Sequence, residues 1–101
     1  MILVRDIFQA KFGKVDELVA LMKEMVEGAP EGTPEAFRNA RLLTDVSGPF
    51  FTAVIETEFE SVGEWEAAWT KLMSMQGPAD ANDRMNELVR SGRREFYRIA
   101  R

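Results

Sequence analysis

The start of the chain is rich in β-branched and aromatic residues. Over residues 2–10, Ile2, Val4 and Phe8 fall on one side and Leu3, Arg5 and Ile7 on the other, the period of two that predicts a half-buried strand. After Phe12-Gly13-Lys14 the period lengthens. Val15, Leu18, Val19, Met22, Met25 and Val26 recur at three- and four-residue spacing as far as Gly28, which predicts an amphipathic helix with a glycine stop. Residues 29–34 carry Pro, Gly and Thr and predict a loop. Alternation resumes over Phe37 to Val46, breaks at Ser47-Gly48-Pro49, and resumes over Phe50 to Phe59, predicting two strands joined by a tight turn. Ser61 with Glu64 has the spacing of a capping box in front of Val62, Trp65, Ala68, Trp69, Leu72 and Met73. Gly77-Pro78 divides that second helix; Ala81, Met85, Leu88 and Val89 continue it until Gly92, and Arg94 to Ala100 reads as a fourth strand.

The resulting order is βαββαβ. Two right-handed βαβ crossovers joined by the central hairpin place the strands in the spatial order 4-1-3-2, an α+β ferredoxin-like plait with a four-stranded antiparallel sheet. Charge then selects the hairpin register. A four-residue turn, Ser47 to Phe50, sets Val46, Thr44, Leu42 and Ala40 opposite Phe51, Ala53, Ile55 and Thr57 on one face. On the other it sets Leu43 opposite Val54, Arg41 opposite Glu56 and Asn39 opposite Glu58. Arg5 joins that second face, flanked by Leu3 and Ile7.

Composition narrows the chemistry more than the fold. The 101 residues suffice for one domain, 1–101, and not for two. There is no Cys and no His, which removes thiolate and imidazole chemistry, disulfides and zinc fingers. Carboxylates, Arg, Asn, Tyr and Trp remain. A net charge of −4 and a pI near 4.9 argue against nucleic acid and anionic membranes as partners. The longest strictly apolar runs are about five residues, far short of a bilayer span, and no leader pattern opens the chain, so a soluble cytoplasmic protein is expected.

All helices of a plait lie on one side of its sheet. Leu3, Ile7, Leu43 and Val54 would then stand bare around a centre of Arg and Glu, a patch of the kind that marks association. A homodimer packed face to face through the sheet is expected, each copy giving the same residues to a shared interior. The stretch from Arg5 through Phe12-Gly13-Lys14-Val15-Asp16-Glu17-Leu18, with the closing Arg93-Arg94-Glu95-Phe96-Tyr97-Arg98-Ile99, resembles the NIPSNAP-like branch of the dimeric α+β barrel proteins. The Gly-Lys turn and acidic helix start also occur in the antibiotic biosynthesis monooxygenase branch. The resemblance implies a sheet-mediated dimer with a small-molecule pocket between helices and sheet. It also implies, from the monooxygenase relatives, cofactor-independent oxygenation of electron-rich aromatic substrates held by Asn, Trp and Tyr, with neither metal nor flavin.

Each candidate residue has two readings. Trp65 and Trp69, one helical turn apart, can wall a flat substrate or fill the core, the commoner use. Arg5, Arg41 and Glu56 can bind substrate, with Glu56 as a base, or can be structural pairs that fix a dimer register. Asn39 can orient a substrate carbonyl or satisfy backbone groups beside a loop. Tyr97 can donate to a ligand or pack at a rim. Asp80, Asp83 and Glu87 share a helix face but lack the pattern of a calcium loop, and no metal is expected. Met22, Met25, Met73, Met75 and Met85 suit adaptable core filling or a pocket of variable shape. The expected function is binding or transforming a small hydrophobic or aromatic molecule, as an oxygenase or isomerase without cofactor. The alternative is a non-catalytic ligand-sensing or dimerisation module.

Overall fold

The alternation over residues 2–10 becomes β1 (Ile2–Ala10), and the helical period after it becomes α1 (Val15–Glu27). Then follow α2 (Glu35–Arg38), β2 (Arg41–Thr44), β3 (Thr52–Phe59), α3 (Val62–Met75), α4 (Asp80–Leu88) and β4 (Val89–Arg98). The computed structural model describes residues 1–75 and 80–101; the Gly77-Pro78 break lies outside them. The four strands form one antiparallel sheet in the order β2-β3-β1-β4, the ferredoxin-like plait.

Between β1 and α1 the chain reverses through Gly13 at φ 76°, a left-handed position that costs glycine little, closed by the Lys14 N–H donating to the Lys11 carbonyl. Asp16 and Glu17 then sit in the first turn of α1, where the helix dipole favours negative charge. The apolar stripe of α1 lands on the sheet. Leu18 and Met22 are fully buried against Ala10 and Ala53, with Phe8, Leu42, Ile55, Met85 and Leu88 packed around them. At α3, Ser61 Oγ accepts from the Glu64 N–H at 3.2 Å, the N-cap that the Ser61/Glu64 spacing predicts.

The hairpin register is the one charge selects: Thr44 opposes Ala53, Leu42 opposes Ile55, Leu43 opposes Val54 and Arg41 opposes Glu56. The second strand is shorter than expected. Pro34, at φ −53°, starts the single turn of α2, and Thr33 and Arg38 tie that turn to the Pro30 carbonyl. Phe37 has the residue type of a strand, but its ring turns toward Phe59 and Trp69 instead. Ala40, Asn39 and Val46 therefore fall outside the ladder, and the expected Asn39–Glu58 pair does not form.

A second correction concerns Gly92. It does not end a helix: α4 stops at Leu88, β4 begins at Val89, five residues earlier than expected, and Gly92 lies on that strand beside Phe8. A one-residue register shift between Gln9 and Ala10 lets β4 start directly after α4. A third concerns the start of the third strand, expected at Phe50 and found at Thr52. Phe51 sits at φ 62°, costly for a bulky residue, and its ring packs edge-on against Phe12 with centres 5.1 Å apart. Among the described residues, no helix is long and apolar enough to cross a membrane.

The glycine at position 92 is needed for packing. A Cβ there would stand 3.0 and 3.2 Å from two atoms of the Phe8 ring, which itself packs on the core. Gly92→Val is expected to destabilise the protein by about 1–3 kcal/mol through overpacking. Urea unfolding would show this as a lower midpoint at unchanged slope; an unshifted midpoint would mean that Phe8 gives way freely.

Candidate functional site

Pleating sends alternate residues of β1 to opposite sides of the sheet, so Asp6 shares the helix-covered side with Val4 and Phe8. A carboxylate there needs a partner. Asp6 has Ile55 on one neighbouring strand and Arg94 directly opposite on the other, and Arg94 Nε donates to Asp6 Oδ1. The guanidinium also lies over aromatic rings: its central carbon is 4.4 Å from the Trp69 ring centre and 5.0 Å from that of Trp65. Trp65 and Trp69 stack with centres 6.1 Å apart and planes 18° from parallel, as residues one helical turn apart can. Phe96, in phase with Arg94 on β4, meets Trp65 edge-on at 4.9 Å, and Phe37 meets Trp69 at 6.4 Å. Both Trp side chains are half-buried.

Beside this cluster lies a cavity of about 760 Å³ between helices and sheet. Its walls are apolar and adaptable: Phe8, Phe37, Trp69, Leu72, and the methionines Met25, Met73, Met75 and Met85. Its polar groups are few, and among the described residues Asp6 is the one carboxylate on its lining. Thr57 also lines it. That residue is only 4% exposed, and its hydroxyl has no hydrogen-bond partner among the described residues. A buried hydroxyl left unpaired costs roughly 1–3 kcal/mol. A second depression of about 590 Å³ lies between α1 and the β2–β3 turn, lined by Val19, Lys23, Asp45 and Phe51 among others. Neither buried side-chain atom lacking a partner belongs to its lining.

The opposite side of the sheet carries a different arrangement. Arg41 opposes Glu56, Glu56 opposes Arg5, and Arg5 opposes Glu95, so four residues of alternating charge cross all four strands in one row. Glu56, with a side chain 8% exposed, accepts from Arg41 Nη2. Arg5 Nε stands 3.6 Å from Glu56, within ion-pair range but too far for a hydrogen bond, and finds no other acceptor among the described residues. Glu95 accepts from the Tyr97 hydroxyl at 2.9 Å and from Arg93 Nε at 3.2 Å. These bonds, the Tyr97 one first, hold the Glu95 carboxyl below its ordinary pKa, and the same contact with Glu95 raises that of Tyr97.

Sequence reasoning placed Arg5, Arg41, Glu56, Asn39, Tyr97, Trp65 and Trp69 around one substrate. The structure does not bring them together. Arg5, Arg41, Glu56 and Tyr97 occupy the open face, the two Trp residues occupy the covered one, and Asn39 is exposed at the C-terminus of α2, its N–H donating to the Glu35 carbonyl. Glu56 therefore does not face the cavity, and of the seven only Trp69 lines it. The residues missed were Asp6, Thr57 and Arg94. Their signal was parity: each is a polar residue in phase with Val4, Phe8, Ile55 and Phe96, on the side that the helices cover. The expected bareness of the open face is also reduced. Ile7 and Val54 are each 5% exposed within one chain, as befits residues flanked by long Arg and Glu stems. Asp83 and Glu87 are exposed, and among the described residues no group of three carboxylates stands close enough to hold a metal ion.

No family model matches the sequence, and no curated protein matches it. Solved structures do. An uncharacterised NIPSNAP domain protein from Burkholderia xenovorans superposes with a TM-score of 0.77 at 18% identity, covering 99% of this chain and 95% of its own. A NIPSNAP family protein from Agrobacterium tumefaciens gives 0.79 at 18% identity over 95% and 90% of the two chains. A provisionally named antibiotic biosynthesis monooxygenase from Deinococcus radiodurans gives 0.67 at 16% identity over 100% and 94%. The structural neighbours are thus NIPSNAP and antibiotic biosynthesis monooxygenase-like proteins, the groups that the sequence resembles, and what is shared at these identities is the fold.

The Tyr97–Glu95 bond sets two opposed pH limits. The stabilisation from a depressed Glu95 is present near neutrality and fades as pH falls through its folded value; that from a raised Tyr97 fades as pH rises through its own. Tyr97→Phe is expected to move the Glu95 titration upward toward the ordinary carboxylate range. Carboxyl-carbon NMR reads this directly, and an unmoved titration would assign the depression to Arg93 instead.

Proposed function

We propose that this chain binds a small, flat, largely apolar molecule carrying a hydrogen-bonding oxygen in the cavity between the helices and the sheet, and that it works as a homodimer. The observation that carries this reading is the unpartnered, buried hydroxyl of Thr57 on the wall of an otherwise apolar cavity of about 760 Å³. That volume lies in the usual range for small-molecule sites, as does the combination of apolar walls with a few polar groups. Trp69, Phe37 and Phe8 offer ring faces and edges. The methionines adapt to ligand outline, and Thr57 meets the ligand's oxygen. Asp6 holds Arg94 against the Trp stack, so Arg94 presents a fixed positive edge to the same space. Binding needs no cofactor, and none is part of this proposal.

Oxygenation of the bound molecule is a second reading, favoured by the likeness to a provisionally named monooxygenase and by the aromatic wall. It assigns substrate contact to Trp69, Thr57 and Arg94 rather than to Glu56, Asn39 or Tyr97. Oxygen uptake in the presence of a bound, electron-rich ligand separates it from binding alone. The open face, with half-buried Leu3 and Leu43 and an exposed Tyr97, supports self-association. Arg5, Arg41 and Glu56 then serve assembly. A net charge of −4 and the absence of Cys accord with a cytoplasmic setting without nucleic-acid or membrane partners.

The chain has two Trp residues, both in this cluster, so its emission reports on the cavity. Titration with 2-naphthoate, a flat apolar carboxylate, is expected to change Trp emission saturably at one probe per chain. Thr57→Val should weaken that binding about 3–10-fold, the worth of one hydrogen bond, while stabilising the unliganded protein by about 1–2 kcal/mol. Opposite movement of affinity and stability is the mark of a hydroxyl kept for a ligand. Emission indifferent to naphthoate, with native mass spectra showing no retained small molecule after purification, would remove the binding reading.

A further inference from the structure

The open face orders its charges in a way that a single chain does not need. Across β2, β3, β1 and β4 the row reads Arg41, Glu56, Arg5, Glu95: plus, minus, plus, minus. The next row on the same face reads Leu43, Val54, Ile7, Arg93, largely apolar. Two sheets that meet face to face as a symmetric pair must be related by a two-fold axis lying between them. If that axis crosses the strands along the charged row, the row keeps its order and each charge meets its own copy. If the axis runs along the strands, the row is reversed, and a row of alternating sign reversed on itself is complementary at every position.

Resting on the homodimer reading above, we infer that the sheet face pairs with a second copy of this chain about a two-fold axis parallel to the strands, between β1 and β3. Arg41 then faces the partner's Glu95, and Glu56 faces the partner's Arg5. In the adjoining row Val54 faces the partner's Ile7, so the apolar centre of the face is closed by the same operation. Sheets packed in this way stand about 10 Å apart, a gap that long Arg and Glu side chains from both sides can bridge.

A second observation supports the assignment. Arg5 lies at the middle of the row and its Nε lacks a hydrogen-bond acceptor among the described residues. The arrangement brings another carboxylate, the partner's Glu56, over that guanidinium. Axial choice is thus decided by charge more than by apolar area, since Ile7 and Val54 are already 95% covered within one chain. Like charges in register across a dry interface are strongly disfavoured, so the alternation acts as a register device.

The test uses two variants that each spoil one end of the row. In Glu95→Arg, and separately in Arg41→Glu, both outer contacts of a homodimer become like-charge contacts; in the mixed dimer every outer contact is again opposite. Each chain carries its own internal penalty into either dimer, so that penalty cancels. Random re-pairing of equal pools gives about half heterodimer, and relief of only about threefold at each facing position raises this to roughly nine-tenths. Native mass spectrometry of the mixed pools reads the fraction, and random mixing would overturn the inference.

Cross-linking covers the case in which a reversed charge spoils folding, because the chain has no Cys of its own. Opposite edges of the sheet are three strand spacings apart, about 14 Å, so with about 10 Å between the sheets the two Arg41 positions of a dimer stand roughly 17 Å from each other. A disulfide is too short even for facing positions, so the short thiol linker bis-maleimidoethane is the reagent: Arg41→Cys alone should form no linked dimer, whereas its mixture with Glu95→Cys should. A linked dimer of Arg41→Cys with itself, or none in the mixture although wild-type protein dimerises, overturns the axis. Wild-type protein that stays monomeric in sedimentation at every concentration overturns instead the homodimer reading on which the axis rests.

Discussion

A carboxylate on the helix-covered side of a central strand can persist only if a cation meets it there, and the ion pair of Asp6 with Arg94 is the constraint from which the covered face follows. Burying one charge without the other would cost several kcal/mol, so the β1–β4 register that sets these two residues opposite each other is strongly preferred over its neighbours. Once held by Asp6, the guanidinium lies over the Trp65 and Trp69 rings, and the stack it touches forms one flank of the cavity. Electrostatics, aromatic packing and the shape of the binding space are therefore one arrangement on this side of the sheet.

The two faces are built from adjacent residues. Arg5 and Asp6 on β1, Glu56 and Thr57 on β3, and Arg94 and Glu95 on β4 each send one side chain to the open face and the next to the covered one. A slip of one residue would bring Asp6, Thr57 and Arg94 out to the sheet face and put Arg5, Glu56 and Glu95 under the helices. Each face thus penalises the same error independently. This accounts for a sheet of ordinary apolar content having a register specified so tightly.

Much of the fold could be read from the chain because its signals are local. The alternation of residues 2–10, the helical spacing up to Gly28 and the Ser61 cap all fall where the pattern puts them, and opposite charges alone select the Arg41–Glu56 register. The errors arose where tertiary contacts decide. Phe37 has the appearance of a strand residue, yet Pro34 starts a helical turn and the ring is taken up by Phe59 and Trp69. Gly92 has the appearance of a helix stop, yet what it provides is space for the Phe8 ring on the next strand. The site was harder still. Glu56 and Tyr97 drew notice by residue type, whereas Thr57, the informative residue, is conspicuous only by its lack of a partner.

The charged row and the cavity differ in what they contribute. Ion pairs at an interface lose solvation nearly as fast as they gain attraction, so in the proposed dimer the row adds little to strength and much to uniqueness. In the proposed binding role the Thr57 hydroxyl likewise subtracts from stability and adds selectivity, since a ligand lacking an oxygen for it leaves it unpaired. Removing either feature in favour of apolar side chains would yield a sturdier sheet with two less discriminating faces. As proposed, polar groups retained at such a cost on both sides of one small sheet serve recognition, of a ligand on the covered side and of a second copy on the open one.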